Sequence, residues 1–290
     1  MILVFGGGGQ LGQELNRSAA DRNIALAALP RSEVDIADVA QVAAAIRRYN
    51  PNVAVNAAAY TNVDQAEEDY ETALRANAHG PGVLARACHA ADMPLIHVST
   101  DYVFDGTKTG PYIETDAIAP IGAYGRSKAQ GEAAVRAATP KHLIIRTAWV
   151  YGEFGKNFLK TIIRLASERD ELRIVADQHG CPTSTGEIAS AILSIAPRLQ
   201  KEDTPWGTYH FSGSGVTSWH GFAEWIVAAQ ARHTRRKPTV TPIHTRDFPT
   251  RAARPANSAL DCSLFTKMFG ITPASWTIES ERVINALLHT

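Results

Sequence analysis

A tyrosine and a lysine four residues apart are the most informative pair of side chains in this sequence. Tyr124 and Lys128 lie in a stretch predicted to be helical from about Ala123 to Ala138, and residues at i and i+4 share one face of a helix. An ammonium beside a phenol lowers the pKa of the phenol, making it a usable proton donor near neutral pH. We therefore expect Tyr124 to act as a general acid assisted by Lys128.

A hydroxyl at the end of a predicted strand completes the chemistry. The run from Leu95 to Ser99 reads as a fourth strand, and Thr100 follows it. Thr100, or alternatively Ser99, is expected to donate a hydrogen bond to a substrate carbonyl and to the alkoxide that develops from it. A Tyr-x-x-x-Lys spacing is common on helix surfaces. Here, however, the pair follows a glycine turn suited to a nucleotide and a strand that ends in Ser-Thr. This combination indicates carbonyl reduction.

The nucleotide turn is a glycine cluster at the start of the chain. Four glycines, Gly6 to Gly9, follow the apolar run Ile2 to Phe5 and precede Gln10, Leu11 and Gly12. A strand, a glycine turn and a helix in this order bring backbone N–H groups close to a pyrophosphate. The residues predicted to bind the cofactor here are Gly6, Gly9, Gln10, Leu11 and Gly12.

The identity of the cofactor depends on the residues after the second predicted strand, Ile24 to Leu29. An NAD-selective protein usually places a carboxylate there for the ribose 2′-hydroxyl, whereas here Arg31 offers a cation suited to a 2′-phosphate. Asp35 lies slightly further on, next to Ile36, and both are assigned to the adenine side of the cofactor. NADPH is favoured and NADH stays open, because Arg31 can equally be a solvated loop residue.

Short apolar strands alternate with helical stretches, which predicts an α/β fold with a Rossmann-type, doubly wound parallel sheet. Leu172 to Val175 is a candidate sixth strand, and helices are expected near Gln65 to Ala76 and His79 to Ala91. The pattern changes after Pro197. We predict a cofactor domain over residues 1–200, with some lobe elements inserted after 150, and a smaller substrate-binding lobe over 201–290.

Composition excludes several classes of partner. The 290 residues carry 29 basic and 29 acidic side chains, so no net field favours nucleic acid or an anionic membrane. No apolar run approaches the roughly 20 residues of a membrane helix, and the first strand begins too early for a signal peptide. The three cysteines are scattered, which suggests reduced thiols and a cytoplasmic protein. His179 and Cys181 lack further ligands at metal spacing, so no metal site is expected there.

Several longer motifs support a family resemblance. They are GGGGQLGQEL (6–15), PNVAVNAAAYTNVD (51–64), VSTDYVFDG (98–106), YGRSKAQGE (124–132), RTAWVYG (146–152), DQHGCPT (177–183), YHFSG (209–213) and RPANSAL (254–260). On these residues the chain resembles the extended short-chain dehydrogenases/reductases and, within them, the dTDP-4-dehydrorhamnose reductase family. The similarity spans nearly the whole chain.

The resemblance implies roles for individual residues. Those matching the catalytic set are Thr100, Tyr124 and Lys128; those matching the sugar site are Asp101, Tyr102 and Trp149; those along the cofactor are Ala58, Ala59, Tyr60 and Thr61. An aspartate in a turn can instead be a cap, and a tryptophan there can simply pack the lobe. The implied activity is NAD(P)H-dependent reduction of the 4-keto group of dTDP-4-dehydrorhamnose to dTDP-L-rhamnose, the last step of dTDP-rhamnose synthesis.

Two other functions stay open. One is a different nucleotide-sugar enzyme of the same superfamily, such as an epimerase, a dehydratase or another reductase. The acidic pair that dehydratases commonly carry next to the threonine is absent, because Thr100 precedes Asp101 and Tyr102. The other is a non-catalytic NADP-binding regulatory subunit, like the β subunit of methionine adenosyltransferase. The intact Thr100, Tyr124 and Lys128 weigh against it.

The resemblance also raises a homodimer and a Mg²⁺ ion held between subunits. Glu14 and Glu187 are the matching glutamates, although their spacing alone indicates only surface carboxylates, and no metal ligand is assigned.

A basic loop near the C-terminus is the last candidate feature. Three arginines, Arg246, Arg251 and Arg254, lie within nine residues punctuated by prolines. A sugar-nucleotide diphosphate needs cationic partners, so Arg254 is predicted to bind the substrate. The alternative is that Arg254 ties the lobe together through backbone carbonyls.

Overall fold

The computed structural model describes residues 1–201 and 203–289. Its strands are β1 (Ile2–Phe5), β2 (Leu26–Leu29), β3 (Val53–Asn56), β4 (Leu95–Thr100), β5 (His142–Thr147), β6 (Val150–Tyr151), β7 (Glu171–Val175), β8 (His179–Gly180), β9 (Thr183–Ser184), β10 (Gly207–His210), β11 (Thr217–Ser218) and β12 (Thr239–Ile243).

The α-helices in the described part of the chain are α1 (Gln10–Asp21), α2 (Val39–Tyr49), α3 (Tyr70–Leu74), α4 (Gly80–Ala90), α5 (Ala123–Ala138), α6 (Phe158–Glu168), α7 (Thr185–Ile195), α8 (Trp219–Thr234), α9 (Ser263–Phe269) and α10 (Trp276–Leu288). A π-helical segment, Arg75–His79, joins α3 to α4. Among residues 1–201 and 203–289, none of the helices combines the length and apolar character needed to cross a bilayer.

Six parallel strands form the central sheet in the order β2-β1-β3-β4-β5-β10. Both faces are covered, as the alternation in β1 shows. Ile2 and Val4 pack with α1 and α7 on one face, while Leu3 and Phe5 pack with α2 and α4 on the other. Burial on two sides explains why these strands read as continuous apolar runs. The predicted doubly wound sheet is confirmed.

The candidate sixth strand is confirmed as a strand, but it does not belong to the central sheet. The segment Leu172 to Val175 does form part of β7, but β7 pairs with β12 in a separate two-stranded sheet. The sixth strand of the central sheet is β10, which pairs with β5. Since β10 follows residue 200, a strand assigned to the lobe belongs to the sheet. A short apolar run does not disclose which strand it pairs with.

Two boundaries also differ. β2 begins at Leu26 rather than Ile24, and the helix expected from Gln65 is a single 3₁₀ turn followed by the short α3. The π-helical segment spans the expected break between the two helices.

The lobe has its own small core, in which segments distant in the sequence pack together. Leu159 and Ile162 from α6 and Leu172 from β7 lie against Phe222 and Ile226 of α8. Elements that follow residue 150 thus share a core with the C-terminal segment. These elements and the carboxyl ends of the central strands bound a cleft.

Candidate active site

The glycine turn forms a cradle between β1 and α1. The N–H groups of Gly6 and Gly7 donate to the carbonyl of Leu29 at 3.0 and 2.8 Å, which draws the turn against the end of β2. Gly6 adopts a φ of +90°, and a Cβ there would lie 2.5 Å from the amide nitrogen of Ala58. The cradle therefore requires glycine and leaves backbone close to the start of α1, an arrangement that suits a pyrophosphate.

A cleft of about 410 Å³ opens beside this cradle. It brings together most of the residues predicted to bind the cofactor, namely Gly6, Gly9, Arg31, Asp35, Ile36, Ala58, Ala59, Tyr60 and Thr61. The cleft also contains Arg75, which the sequence analysis missed. No motif marks that residue, because the helical segment bearing it reaches the cleft only through the fold.

A second cleft, of about 660 Å³, lies at the carboxyl ends of β4 and β5. It is lined by the remaining turn residues and by the predicted catalytic and sugar-site residues: Gln10, Leu11, Thr100, Asp101, Tyr102, Tyr124, Lys128 and Trp149. Gly9 and Ala59 border both clefts. The predicted cofactor and reaction sites are therefore continuous. Gly12 packs beneath the turn, where a Cβ would overlap the Gly6 carbonyl.

The phenol of Tyr124 lies beside the hydroxyl of Thr100. Burial raises the pKa of Tyr124 to about 12, the hydrogen bond with Thr100 opposes the rise, and the nearby Asp101 carboxylate adds to it. The expectation that Lys128 lowers the pKa of Tyr124 is wrong for this structure. The tyrosine is consequently protonated throughout the physiological range, as a proton donor must be.

Lys128 is 2% exposed and donates from Nζ to the carbonyl oxygen of Val98 at 2.8 Å. Burial lowers the pKa of Lys128 to about 8, and the carboxylate of Glu132, one helical turn away, opposes the fall. The pKa of the Lys128 ammonium therefore lies close to neutral pH, because burial disfavours the charged form.

A buried ion pair fixes the helix face that carries Lys128. Arg146 donates to both carboxylate oxygens of Glu132, at 2.9 and 2.8 Å, and the Ser99 hydroxyl donates to the same carboxylate at 2.6 Å. Ser99 is thereby committed to Glu132. Of the two hydroxyls considered from the sequence, Thr100 is the one beside Tyr124.

Asp101 is only 3% exposed, and its Oδ1 accepts a hydrogen bond from the Thr100 hydroxyl at 2.9 Å. Burial raises the pKa of Asp101 from 3.8 to about 6, while the Ser258 and Thr100 hydroxyls oppose the rise. Asp101 thus lies behind Thr100 and helps to orient it. Its predicted contact with the sugar stays a prediction. Ser258 was missed, although it lies within the RPANSAL motif.

We expect Asp101→Asn to stabilise the protein at pH 8. The raised pKa means that folding favours the neutral acid, so the ionised carboxylate destabilises the fold increasingly between pH 4 and 6, and fully above pH 6. A pKa difference of this size corresponds to about 3 kcal/mol. Thermal unfolding should show a higher Tm for the variant at pH 8 and equal values below pH 4. A variant less stable at pH 8 would contradict this reading of Asp101.

Trp149 packs face to face on Trp219, with ring centroids 3.5 Å apart and an interplanar angle of 3°. Its backbone is in the left-handed region, at φ 46°, and its Nε1 donates to the Ser258 hydroxyl at 3.2 Å. Gly180 makes room for the indole, since a Cβ there would lie 2.5 Å from Cε2. The predicted sugar-stacking residue is therefore held rigidly at the cleft, with one face covered by another indole.

Arg254 forms a two-pronged ion pair with Asp64, at 2.8 and 3.1 Å, and is 21% exposed. It also donates to the carbonyl of Ala252 at 3.2 Å. These contacts match the alternative of a structural tie, although Asp64, rather than backbone carbonyls alone, is the main partner. Arg254 still lines a third cavity of about 530 Å³.

The residues considered for Mg²⁺ do not form a metal site. Glu14 accepts hydrogen bonds from Arg17 at 2.7 Å and from Thr185 at 3.3 Å, while Glu187 accepts one from the backbone of Ala274 at 3.0 Å. Within residues 1–201 and 203–289, no group of three or more His, Cys, Asp or Glu side chains is arranged to hold a metal ion. A Mg²⁺ site is not supported.

Comparison with known proteins agrees with this geometry. The family model described as RmlD substrate binding domain matches residues 1–289. A dTDP-4-dehydrorhamnose reductase from Aggregatibacter actinomycetemcomitans is 45% identical over 279 residues, or 95% of each chain. The crystal structure of a dTDP-4-dehydrorhamnose reductase from Clostridium acetobutylicum ATCC 824 is 37% identical, with a TM-score of 0.91 over 99% of both chains.

A second solved structure, the dTDP-4-dehydrorhamnose reductase from Bacillus anthracis str. Ames in complex with NADP, is 35% identical, with a TM-score of 0.91 over 98% of both chains. These matches cover nearly the whole chain, including the segments that carry the cradle and the Thr100, Tyr124 and Lys128 cluster. The resemblance inferred from the motifs is confirmed. The chain belongs to the dTDP-4-dehydrorhamnose reductase family.

Proposed function

We propose that this protein reduces the 4-keto group of dTDP-4-dehydro-6-deoxy-L-mannose to dTDP-L-rhamnose, with NADPH as reductant and NADH as the alternative. The observation that carries the proposal is one continuous cleft joining the glycine cradle to Thr100, Tyr124 and Lys128. The names of full-length relatives supply the substrate class.

Each residue has a distinct task in this reaction. The chemistry that a bound nicotinamide supplies is hydride transfer to the carbonyl carbon. The O–H of Tyr124 gives its proton to the carbonyl oxygen. The Thr100 hydroxyl, which donates to Asp101 in the free protein, would turn to donate its one proton to that oxygen as negative charge develops. Lys128, a buried positive charge lining the cleft, would hold the ribose of the cofactor. The Gly6–Gly9 cradle and the start of α1 would hold the pyrophosphate.

The third cavity supports a nucleotide sugar as substrate. It shares Phe158 and Trp219 with the reaction cleft, so the two are contiguous. Its lining combines aromatic rings with the guanidinium groups of Arg169, Arg173 and Arg254. Rings and guanidinium groups are the partners that a base and a diphosphate require.

The decisive experiment couples NADPH oxidation to a dehydratase and an epimerase that make the keto sugar from dTDP-glucose. We expect stoichiometric NADPH consumption and dTDP-L-rhamnose identified by mass spectrometry and NMR. Parallel reactions with UDP- and GDP-linked 4-keto sugars test the other nucleotide-sugar activities. Tight NADPH binding without oxidation by any of these sugars would instead support a regulatory subunit. A homodimer and a cytoplasmic location stay predictions.

A further prediction concerns Arg254, which we propose exchanges Asp64 for the substrate diphosphate. Arg254→Ala should raise the KM for the sugar nucleotide about tenfold, the value of one charge-assisted hydrogen bond, and leave NADPH affinity unchanged. Asp64→Asn is the matched variant, since it releases Arg254 and should leave KM unchanged or lower it. A drop of several degrees in Tm with an unaltered KM in Arg254→Ala would assign Arg254 to structure alone.

A further inference from the structure

Two arginines and one aspartate meet at the adenosine end of the cofactor cleft. Arg75 Nη1 lies 2.7 Å from Asp35 Oδ2, and Arg31 Nη2 lies 4.0 Å from the same oxygen. All three side chains line the 410 Å³ cleft. The arginines are accessible, at 50% exposed for Arg75 and 71% for Arg31, whereas Asp35 is 24% exposed. Both guanidinium groups can therefore contact a ligand in the cleft without a large movement of their side chains.

The carboxylate of Asp35 is already engaged by the protein. Its Oδ1 accepts from the N–H of Ala37 at 2.9 Å, and its Oδ2 accepts from Arg75. In dinucleotide-binding folds, an acidic residue after the second strand selects NAD by accepting the ribose 2′-hydroxyl. Here both oxygens already accept from protein donors and two arginines flank Oδ2, so the negative charge of Asp35 is compensated within the protein.

The segments that carry these groups are rigidly joined. The N–H of Asp35 donates to Gln41 Oε1 at 2.9 Å. Ile36 packs on Gly80, where a Cβ would lie 2.6 Å from its Cγ1. The loop after β2 is thus seated on the helical segment that begins at Arg75. Asp35 then holds Arg75 in the cleft as a fixed counter-ion.

We propose that Arg75 is a specificity-determining residue that, together with Arg31, binds the 2′-phosphate of NADP(H), with Asp35 as its counter-ion. Two guanidinium groups and one carboxylate leave one net positive charge in the cleft. A phosphate monoester carries about −1.5 to −2 charges near neutral pH and accepts two-pronged hydrogen bonds from guanidinium groups. The 2′-hydroxyl of NAD(H) has neither the negative charge nor the paired acceptor oxygens of a phosphate. Arg31 and Arg75 therefore favour NADP(H) over NAD(H).

Binding titrations of the full-length chain without any sugar test this inference. They follow the fluorescence of NADPH or NADH. Arg75→Ala should weaken NADPH about tenfold and NADH less than twofold, in keeping with one charge-assisted hydrogen bond at a half-exposed site. Arg31→Ala should act in the same direction, and the double variant should lose the preference for NADPH. Arg164→Ala is the matched control, because Arg164 is 60% exposed and paired with Glu168 at 2.7 Å on α6.

Asp35→Asn separates the two roles of the carboxylate while keeping an acceptor for the Ala37 N–H. If Asp35 is only a counter-ion, NADPH affinity should stay within twofold or increase, and NADH affinity should not change. A tenfold loss of NADH affinity would show that Asp35 reads the ribose and would overturn the proposal, as would equal losses of both nucleotides in Arg75→Ala. The inference rests on the proposed function only for its cofactor cleft. If the protein failed to reduce a dTDP-sugar, the proposed function would be contradicted, whereas the nucleotide affinities would still test the roles of Arg75 and Asp35.

Discussion

Replacing Tyr124 by phenylalanine should lower kcat by about 10²- to 10⁴-fold and leave NADPH affinity nearly unchanged. The substitution removes the O–H that protonates the carbonyl oxygen, and losing a positioned general acid has an effect of this size. The ring itself stays in place, where it packs edge-on against Tyr102 at 5.8 Å. The measurement is steady-state NADPH oxidation with the dTDP-keto sugar, alongside a fluorescence titration of NADPH.

Tyr70→Phe is the appropriate control for this experiment. Its phenol accepts a hydrogen bond from Gln130 at 3.0 Å on the exposed side of α5, so it should retain full activity. Turnover of Tyr124→Phe within threefold of the unmodified protein would show that another group donates the proton. The assignment of the cleft would then have to be revised.

Lys128→Met should lower kcat by about a hundredfold or more and weaken NADPH binding about tenfold. Methionine fills a similar volume but removes the buried ammonium, which lines the reaction cleft together with Tyr124 and which we propose binds the cofactor ribose. Stability should be unchanged or higher, since burying a charge opposes folding. Lys267→Met, on the exposed surface of α9, is the control. A normal NADPH affinity in Lys128→Met would contradict the proposal that Lys128 binds the cofactor ribose.

The lowered pKa of Lys128 makes a second measurement informative. Its ammonium is charged below about pH 8 and neutral above it, so kcat/KM should fall as pH rises through this value. Tyr124, with a pKa of about 12, stays protonated over the same range. In Lys128→Arg the alkaline fall should disappear below pH 10, because guanidinium does not deprotonate there. An unchanged fall in that variant would point to a different group.

The local sequence was sufficient to predict the parts of this protein that depend on short-range pattern. Apolar runs separated by helical stretches predicted the parallel sheet, because strands buried on both faces must be continuously apolar. The glycine turn after Phe5 was predicted from the spacing of its glycines between a strand and a helix, and the structure adds that Gly6 has a positive φ close to Ala58. The Tyr124 and Lys128 pair followed from helical periodicity, and Thr100 from its place at a strand end.

Pairing, burial and charge compensation were decided by the tertiary structure. The central sheet takes β10, the largely polar sequence GTYH, rather than the more apolar β7, because the packing of the whole chain and not local composition selects the pairing partner. The pKa of Tyr124 rises rather than falls because burial and the Asp101 carboxylate outweigh the hydrogen bond with Thr100. Arg254 pairs with Asp64, which is 190 residues away in the sequence, and Arg75 pairs with Asp35, which is 40 residues away. Electrostatic and desolvation energies depend on the distances between groups and on their burial in three dimensions. The spacing of residues along the chain specifies neither the distances nor the burial.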